Sequence, residues 1–380
     1  VTSITGSPFL SQLVGASIFA PMLLGGIAAG VLSDRLDRHR LIFAVQAVLI
    51  PVSLVMFVLV QTGAVRVWMV FPFMVTLGMG GLINMTSQRT LLYDTVGPAL
   101  APRALTLDNV GMAVASIAST LLGGGLIQAI GIGSAFGMLS GAMCLSLVLV
   151  YRVPRPDRPA SSVAKVSLVS LMSPGSLASL RDQVGLSLGL MRRSPSLRSM
   201  LGVTVVMNLF YFSFIPLVPV MAKHLGAHAF LTGVLASAAG VGQLIGGLVL
   251  AARGVRHRGR AFVVGSVLAL GGLGAFAAAP VLALAFLALV LAGAGQAGFG
   301  SMQSLLAIES AGRAEQGAAL GLLSTAVGAL PLGMLYVGVS AQVLGAPVAL
   351  LASSAGGIAV LAVCLQRWPH VLGPPDPGSR

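Results

Sequence analysis

Eight uncharged stretches, each longer than 20 residues, occupy most of this 380-residue chain. A helix needs ~20 apolar residues to cross the hydrocarbon of a bilayer, so such runs dictate lipid as the solvent. The runs at 1–33, 41–65, 67–88, 199–222 and 224–252 suit one crossing each. Those at 109–151, 261–308 and 316–366 suit two. They divide at "GIGS" (131–134), near Pro280 and at "GAP" (345–347). Eleven spans are predicted. They read as helices rather than barrel strands, because period-two alternation is missing and each span must satisfy its own backbone in lipid. With 56% of residues hydrophobic, a water-soluble core is excluded.

The charges show which ends face which side. The chain has 22 basic and 9 acidic residues. The basic residues fall between apolar runs rather than on one soluble face, which argues against a nucleic-acid partner. Threading eleven spans puts 20 Lys and Arg on one side and only Arg66 and Lys223 on the other. The first side is therefore expected to be cytoplasmic, with the C-terminus inside and the N-terminus outside. An outside N-terminus with only "VTSITGS" before the first span suggests that a first helix is missing. Cys144 and Cys364 lie inside apolar runs and read as small hydrophobes, not as a disulfide or metal pair.

The chain echoes itself. "FLSQLVGASIFAPMLLGGI" (9–27) aligns with "FLTGVLASAAGVGQLIGGL" (230–248), sharing Phe, Leu, a small hydroxyl residue and a double glycine. "QAIG" (128–131) aligns with "QVLG" (342–345). The reading is an N-terminal helical bundle over 1–151, a Pro/Ser/Arg-rich cytoplasmic loop over 152–198, a C-terminal bundle over 199–367 and a tail over 368–380. Two repeated bundles suit a secondary transporter whose site lies between them near the midplane.

Only 8% of the chain is charged, yet "GVLSDRLDRHR" (30–40) gathers Asp34, Arg35, Asp37, Arg38, His39 and Arg40 between two apolar runs. This stretch resembles the loop signature between the second and third helices of the major facilitator superfamily. Gly30, Asp34, Arg35, Arg38 and Arg40 match, while Asp37 replaces a common glycine. The "DRxDR" form resembles an exporter branch that includes enterobactin exporters and transmembrane secretion effectors. "RRSPSLRSML" (192–201) and "AEQGAALGLLSTAVGALPLG" (314–333) are similar to the same branch. The resemblance implies an all-α polytopic fold of two pseudo-symmetric bundles, in which the first span here is the family's second helix.

The resemblance also implies a conformational latch made of Gly30, Asp34, Arg35, Arg38 and Arg40. Asp34 would meet the N-terminus of the family's eleventh helix, around residues 316–320, where partial positive charge favours a carboxylate by ~1 kcal/mol. Arg35, Arg38 and Arg40 would pair with Asp37 or Asp94. The plainer reading is that the cluster sets topology and holds anionic lipid. Two further signatures are missing. Met74 stands where many proton-coupled exporters carry Arg. The antiporter pattern survives only as Gly111 and Gly124.

No acidic residue lies deep in a span, so no intramembrane carboxylate is in view as a proton relay. The polar candidates are neutral. Asn84 and Gln88 share a face of the family's fourth helix. Asn208, Tyr211 and Phe212 share a face of the seventh. Gln296, Phe299 and Gln303 lie on the tenth, and Gln243 on the eighth. Singly, buried amides join helices at ~0.6 kcal/mol each. As a set they would line a weakly polar, uncharged cavity suited to amphipathic or apolar cargo. No phosphate loop, metal motif or nucleophile–histidine pair is visible, so neither catalytic nor metal-binding residues nor a cofactor are expected, and the chain is not expected to be an enzyme. The expectation is a monomeric multi-pass protein of the cell (inner) membrane. It would export small drug- or siderophore-like molecules, with a proton or ion gradient as energy source and lipid around it. The alternative is a transport-inactive protein lacking the first helix.

Overall fold

The computed structural model describes the backbone of residues 7–35, 38–152, 189–253, 255, 257–310 and 316–369. Side chains are described at the same positions except 22–35, 38–40, 82, 85–107, 109–110, 308, 316–318 and 320. Among the described residues there are helices and no strands. In chain order they are α1 (Pro8–Arg35), α2 (Arg38–Gln61), α3 (Val67–Ile130), α4 (Ile132–Arg152), α5 (Pro195–His224), α6 (Ala229–Arg253), α7 (Arg258–Ala277), α8 (Leu282–Glu309), α9 (Gln316–Val327), α10 (Leu330–Leu344) and α11 (Ala346–Arg367). Nine stretches of the described residues are long and apolar enough to cross a bilayer. Two shorter apolar stretches, Pro8–Pro21 and Val67–Gly81, fall where two more spans are predicted.

The helix breaks follow backbone chemistry. Gly131 and Gly345 both adopt positive φ, 99° and 84°, and each amide closes the preceding helix onto the carbonyl four residues back, Ile127 and Ala341. A side chain there would be strained. The two glycines occupy equivalent places in the "QAIG" and "QVLG" echo, so the repeat builds the same turn twice. The break between α7 and α8 falls at 278–281, around Pro280.

Two features depart from the predicted pattern. The predicted loop around Arg89 and Arg103 is helical, so the two predicted spans are the ends of one 64-residue helix, α3. A straight helix of that length would measure ~96 Å, about three times the hydrocarbon thickness, so only its ends can be spans. Charge marks where a helix leaves lipid but does not end it, since Leu, Ala and Arg are good helix formers. Conversely, the single predicted span after Gln316 is two helices, α9 and α10, separated at Gly328–Ala329 ahead of Pro331.

The chain forms two compact units. One comprises Ser17–Met112 and Leu126–Asp182. In it α2 lies along α4: Gln46 Nε2 donates to Ser146 Oγ at 3.0 Å, and Gly137 takes the Phe57 ring. Phe73 meets Phe136 edge-on at 5.6 Å.

The other unit comprises Val1–Ala16, Ala113–Gly125 and Gln183–Arg380. Helix α8 is its centre. Gly242 of α6 lies against the Val290 carbonyl of α8, and Gly293 of α8 against the Ala239 carbonyl of α6. On its other side, Cβ atoms at Gly265 and Gly295 would each come within 2.6 Å of the other's carbonyl oxygen. Small residues let backbones approach where lipid offers no hydrophobic drive between helices. Glycine pairs are not uniform in this respect: Gly246 meets Ala294, whereas Gly247 faces open space. Gly124 packs on Gly233, whereas Gly123 is open. Leu248, Val264 and Leu287 point outward, as lipid-facing side chains do.

Candidate functional site

The basic cluster occupies two helix ends. Gly30, Asp34 and Arg35 lie in the last turns of α1, and Arg38 and Arg40 in the first turn of α2. Their side chains, like those of Asp94 and Gln316, lie outside the described residues, and so does Asp37. The backbone alone is informative. A carboxylate at the C-terminal end of α1 opposes that helix's dipole, and guanidinium groups at the start of α2 oppose theirs. Neither gains from its own helix. Helix α9 begins at Gln316 with no acidic residue in its first turn.

The neutral candidates on α5 and α8 come together. Tyr211 Oη donates to Gln296 Oε1 at 3.3 Å, and Gln303 Nε2 donates to Thr204 Oγ1 at 3.2 Å. The partners are seven residues apart on both helices, which run antiparallel. They therefore form a two-turn polar ladder. Asn208 Nδ2 donates to the Thr204 carbonyl of its own helix at 2.9 Å. Tyr211 and Asn208 are buried at 0% and 3% exposure, while Gln296 and Gln303 are half-buried. Thr204 is a member that sequence reading missed. A threonine in an apolar run gives little signal until its partner's register is known.

Aromatic rings flank the ladder. Phe212 packs at 5.0 Å from Tyr211 and 5.8 Å from Phe299. Phe299 itself stacks on Phe262 at 5.1 Å with 19° between planes and is 2% exposed. Gln243 on α6 is exposed. In the other unit, Asn84 on α3 is half-buried and its Oδ1 is shielded without a hydrogen-bond partner. The side chain of Gln88, one turn on, lies outside the described residues.

These residues lie on an irregular stretch. Helix α5 is α-helical to Val206, π-helical over Met207–Tyr211, 3-10 over Phe212–Leu217, and α-helical again to His224. Asn208, Tyr211 and Phe212 thus sit where the ladder of main-chain bonds is rearranged. The sequence face drawn for a regular helix does not apply to them. In a bilayer the freed carbonyls need partners. Ser353 Oγ of α11 donates to the Phe210 carbonyl at 2.9 Å, and Gln12 Nε2 of α1 donates to the Ser213 carbonyl at 2.8 Å.

Charge is kept to the edges. None of the nine spans contains Asp or Glu, and their Lys and Arg sit in terminal turns. Glu309, at the end of α8, pairs with Arg258, which opens α7 as Arg38 opens α2. Among the described residues no His, Cys, Asp and Glu cluster could hold a metal ion, and both cysteines are free.

Residues 1–330 and 200–379 match the model of the Major Facilitator Superfamily. No curated protein sequence matches the chain significantly. Solved structures share the fold at low identity. A POT family transporter, solved with a thioalcohol conjugated peptide, matches with TM-score 0.73 at 11% identity, over 97% of this chain and 89% of its own. A D-xylose-proton symporter matches with TM-score 0.71 at 16% identity, over 98% and 89%. A bacterial homolog of the human lysosomal transporter Spinster, inward-facing and unoccupied, matches with TM-score 0.70 at 13% identity, over 97% and 92%. Eleven predicted apolar segments, the doubled glycine turn and the family match lead to one conclusion: the chain is a multi-pass membrane protein of the major facilitator superfamily.

Proposed function

We propose that the protein is a secondary active transporter that exports small amphipathic or apolar organic molecules across the cell membrane by alternating access. The observation that carries this reading is the half-buried set Phe212, Gln296 and Gln303, with Gln296 held by the buried Tyr211, within spans that hold no carboxylate. Half-buried neutral amides beside an aromatic ring offer stacking and a few hydrogen bonds. They offer nothing to offset the desolvation of an ion or a sugar phosphate. The export direction, and the kinship to enterobactin exporters and secretion effectors, rest on the "DRxDR" loop.

In this reading the basic turns face the cytoplasm, with the C-terminus on the same side. Asp34 acts as the inner latch: it is bound to the start of α9 when the inner side is closed and released when it opens. A carboxylate at that helix start biases a two-state equilibrium by ~1 kcal/mol. The protein works as a monomer in lipid. Coupling to a proton or ion gradient uses groups at the span ends, since none of the nine described spans holds a carboxylate.

The test is reconstitution. Purified protein in liposomes should accumulate chloramphenicol, a neutral amphipathic probe, against its gradient when a proton gradient is imposed. Transport of glucose 6-phosphate in preference to chloramphenicol would overturn the cargo reading.

A further inference from the structure

The irregular part of α5 is held from two sides, and one holder comes from the far end of the chain. Ser353 on α11 takes the Phe210 carbonyl. Gly333 of α10 lies against the Leu209 carbonyl, and a Cβ there would come within 2.8 Å of the Asn208 carbonyl oxygen. These contacts come from neighbours later in the chain. Gln12 is different. It belongs to the first turns of α1, is 0% exposed, and is the partner of the Ser213 carbonyl at 2.8 Å. Its stem is seated under Gly338 of α10, where a Cβ would lie 2.8 Å from Gln12 Cβ. Its other amide atom, Oε1, is buried with no hydrogen-bond partner. A fully buried carboxamide that leaves one acceptor unmet is costly as mere packing. What it gains is one charge-free hold on the backbone of a broken helix. Nearby, Ser7 Oγ reaches Gln342 Oε1 at 2.9 Å, so this end of α1 is tied to α10 a second time.

We propose that Gln12 is a positioning residue: by holding the Ser213 carbonyl, it couples docking of the outer end of α1 to the backbone geometry of residues 207–217, and so to the placement of Tyr211 and Phe212. The link to cargo binding rests on the cavity reading above; the link between Gln12 and the α5 backbone does not. π-Helical turns inside α-helices recur at functional sites and can absorb a change in register. A single side-chain donor supplied by another helix is a means of setting that register. When the α1 end leaves, the Ser213 carbonyl loses its partner and the segment relaxes.

The test uses the full chain in lipid nanodiscs, read by hydrogen–deuterium exchange of the peptide covering 207–217. Gln12→Met keeps the volume under Gly338 and removes the donor. It should speed exchange in that peptide about fivefold, the effect of losing one buried hydrogen bond. Ser353→Ala should do the same from the other side, and serves as the control that the peptide responds. In a Cys144→Ser, Cys364→Ser background, Ser7→Cys and Gln342→Cys bridged by a short bis-methanethiosulfonate should slow exchange over 207–217 with Gln12 present. The bridge should have no such effect in Gln12→Met. Unchanged exchange in Gln12→Met, with Ser353→Ala responding, would overturn the proposal. So would a bridge that acts equally with and without Gln12. Failure of chloramphenicol transport by the unmodified protein, with these exchange results intact, would sink the transport reading and leave this one standing.

Discussion

Tyr211 Oη and Gln296 Oε1 join α5 to α8 at 3.3 Å, two helical turns from the equivalent Thr204–Gln303 contact. Tyr211→Phe removes only the donor. It should cost ~0.6 kcal/mol of stability, the average for such bonds in membranes, and lower the thermal midpoint in detergent by only a degree or two. If Gln296, oriented by Tyr211, holds cargo, the same change should raise the KM for chloramphenicol several-fold with kcat little altered. A lost midpoint with unchanged KM would make the ladder a structural brace only.

Glycine contacts around α8 should sort sharply. Gly242→Ala pushes a methyl into the Val290 carbonyl, and Gly293→Ala pushes one into that of Ala239. Each should cost about 1–3 kcal/mol by overpacking. Gly247→Ala and Gly271→Ala meet nothing within 4 Å and should be neutral or slightly stabilising. Thermal denaturation of the four variants in detergent checks this. Equal destabilisation across the set would contradict the packing described.

The doubled turn makes a paired prediction. Gly131→Ala and Gly345→Ala place a side chain at φ 99° and 84°, at a cost of about 1–3 kcal/mol each. The two turns belong to different compact units and share no packing partner, so the double variant should lose roughly the sum. Thermal unfolding of the single and double variants measures both.

Arg258 and Glu309 form a partly exposed ion pair between the start of α7 and the end of α8. Glu309→Gln should reduce stability by less than ~1 kcal/mol, and less still at high salt. The swap Arg258→Glu with Glu309→Arg should restore what the single changes lose. No restoration in the double variant, read by the same unfolding assay at low salt, would show that the pair is incidental.

The span pattern was legible because lipid enforces it. A run near 20 apolar residues has no other stable home, and Gly131, Pro280 and Gly345 punctuate the longer runs. The continuity of α3 was not legible, because Arg89 and Arg103 end a crossing without ending a helix. The split at Gly328–Ala329 and the π and 3-10 turns of α5 were equally hidden. Pro216 hints at a break there, but its extent depends on Ser353, Gln12 and Gly333, which lie far off in sequence. At the site, the residue types on α5 and α8 were legible from polarity alone. Their register was not: Tyr211 could be matched to Gln296, and Thr204 to Gln303, only once the two helices were seen side by side. Phe299 read as cavity lining by its spacing from Gln296 and Gln303, yet its ring lies in the core on Phe262.

The latch is tested by Asp34→Asn, which removes the carboxylate charge and keeps the shape. The variant should stay in the membrane and lose most transport, while Asp34→Glu retains part of it. Full transport by Asp34→Asn would remove the latch and leave the cluster as a topology and lipid anchor.

Export is measured most directly as accumulation of radiolabelled chloramphenicol in cells stripped of their own efflux pumps, with and without this chain in the membrane. Steady-state accumulation should be lower with the chain and largely, not fully, restored by Asp34→Asn at equal membrane abundance. Accumulation identical in all three strains, with the protein inserted and folded, would contradict export by this chain.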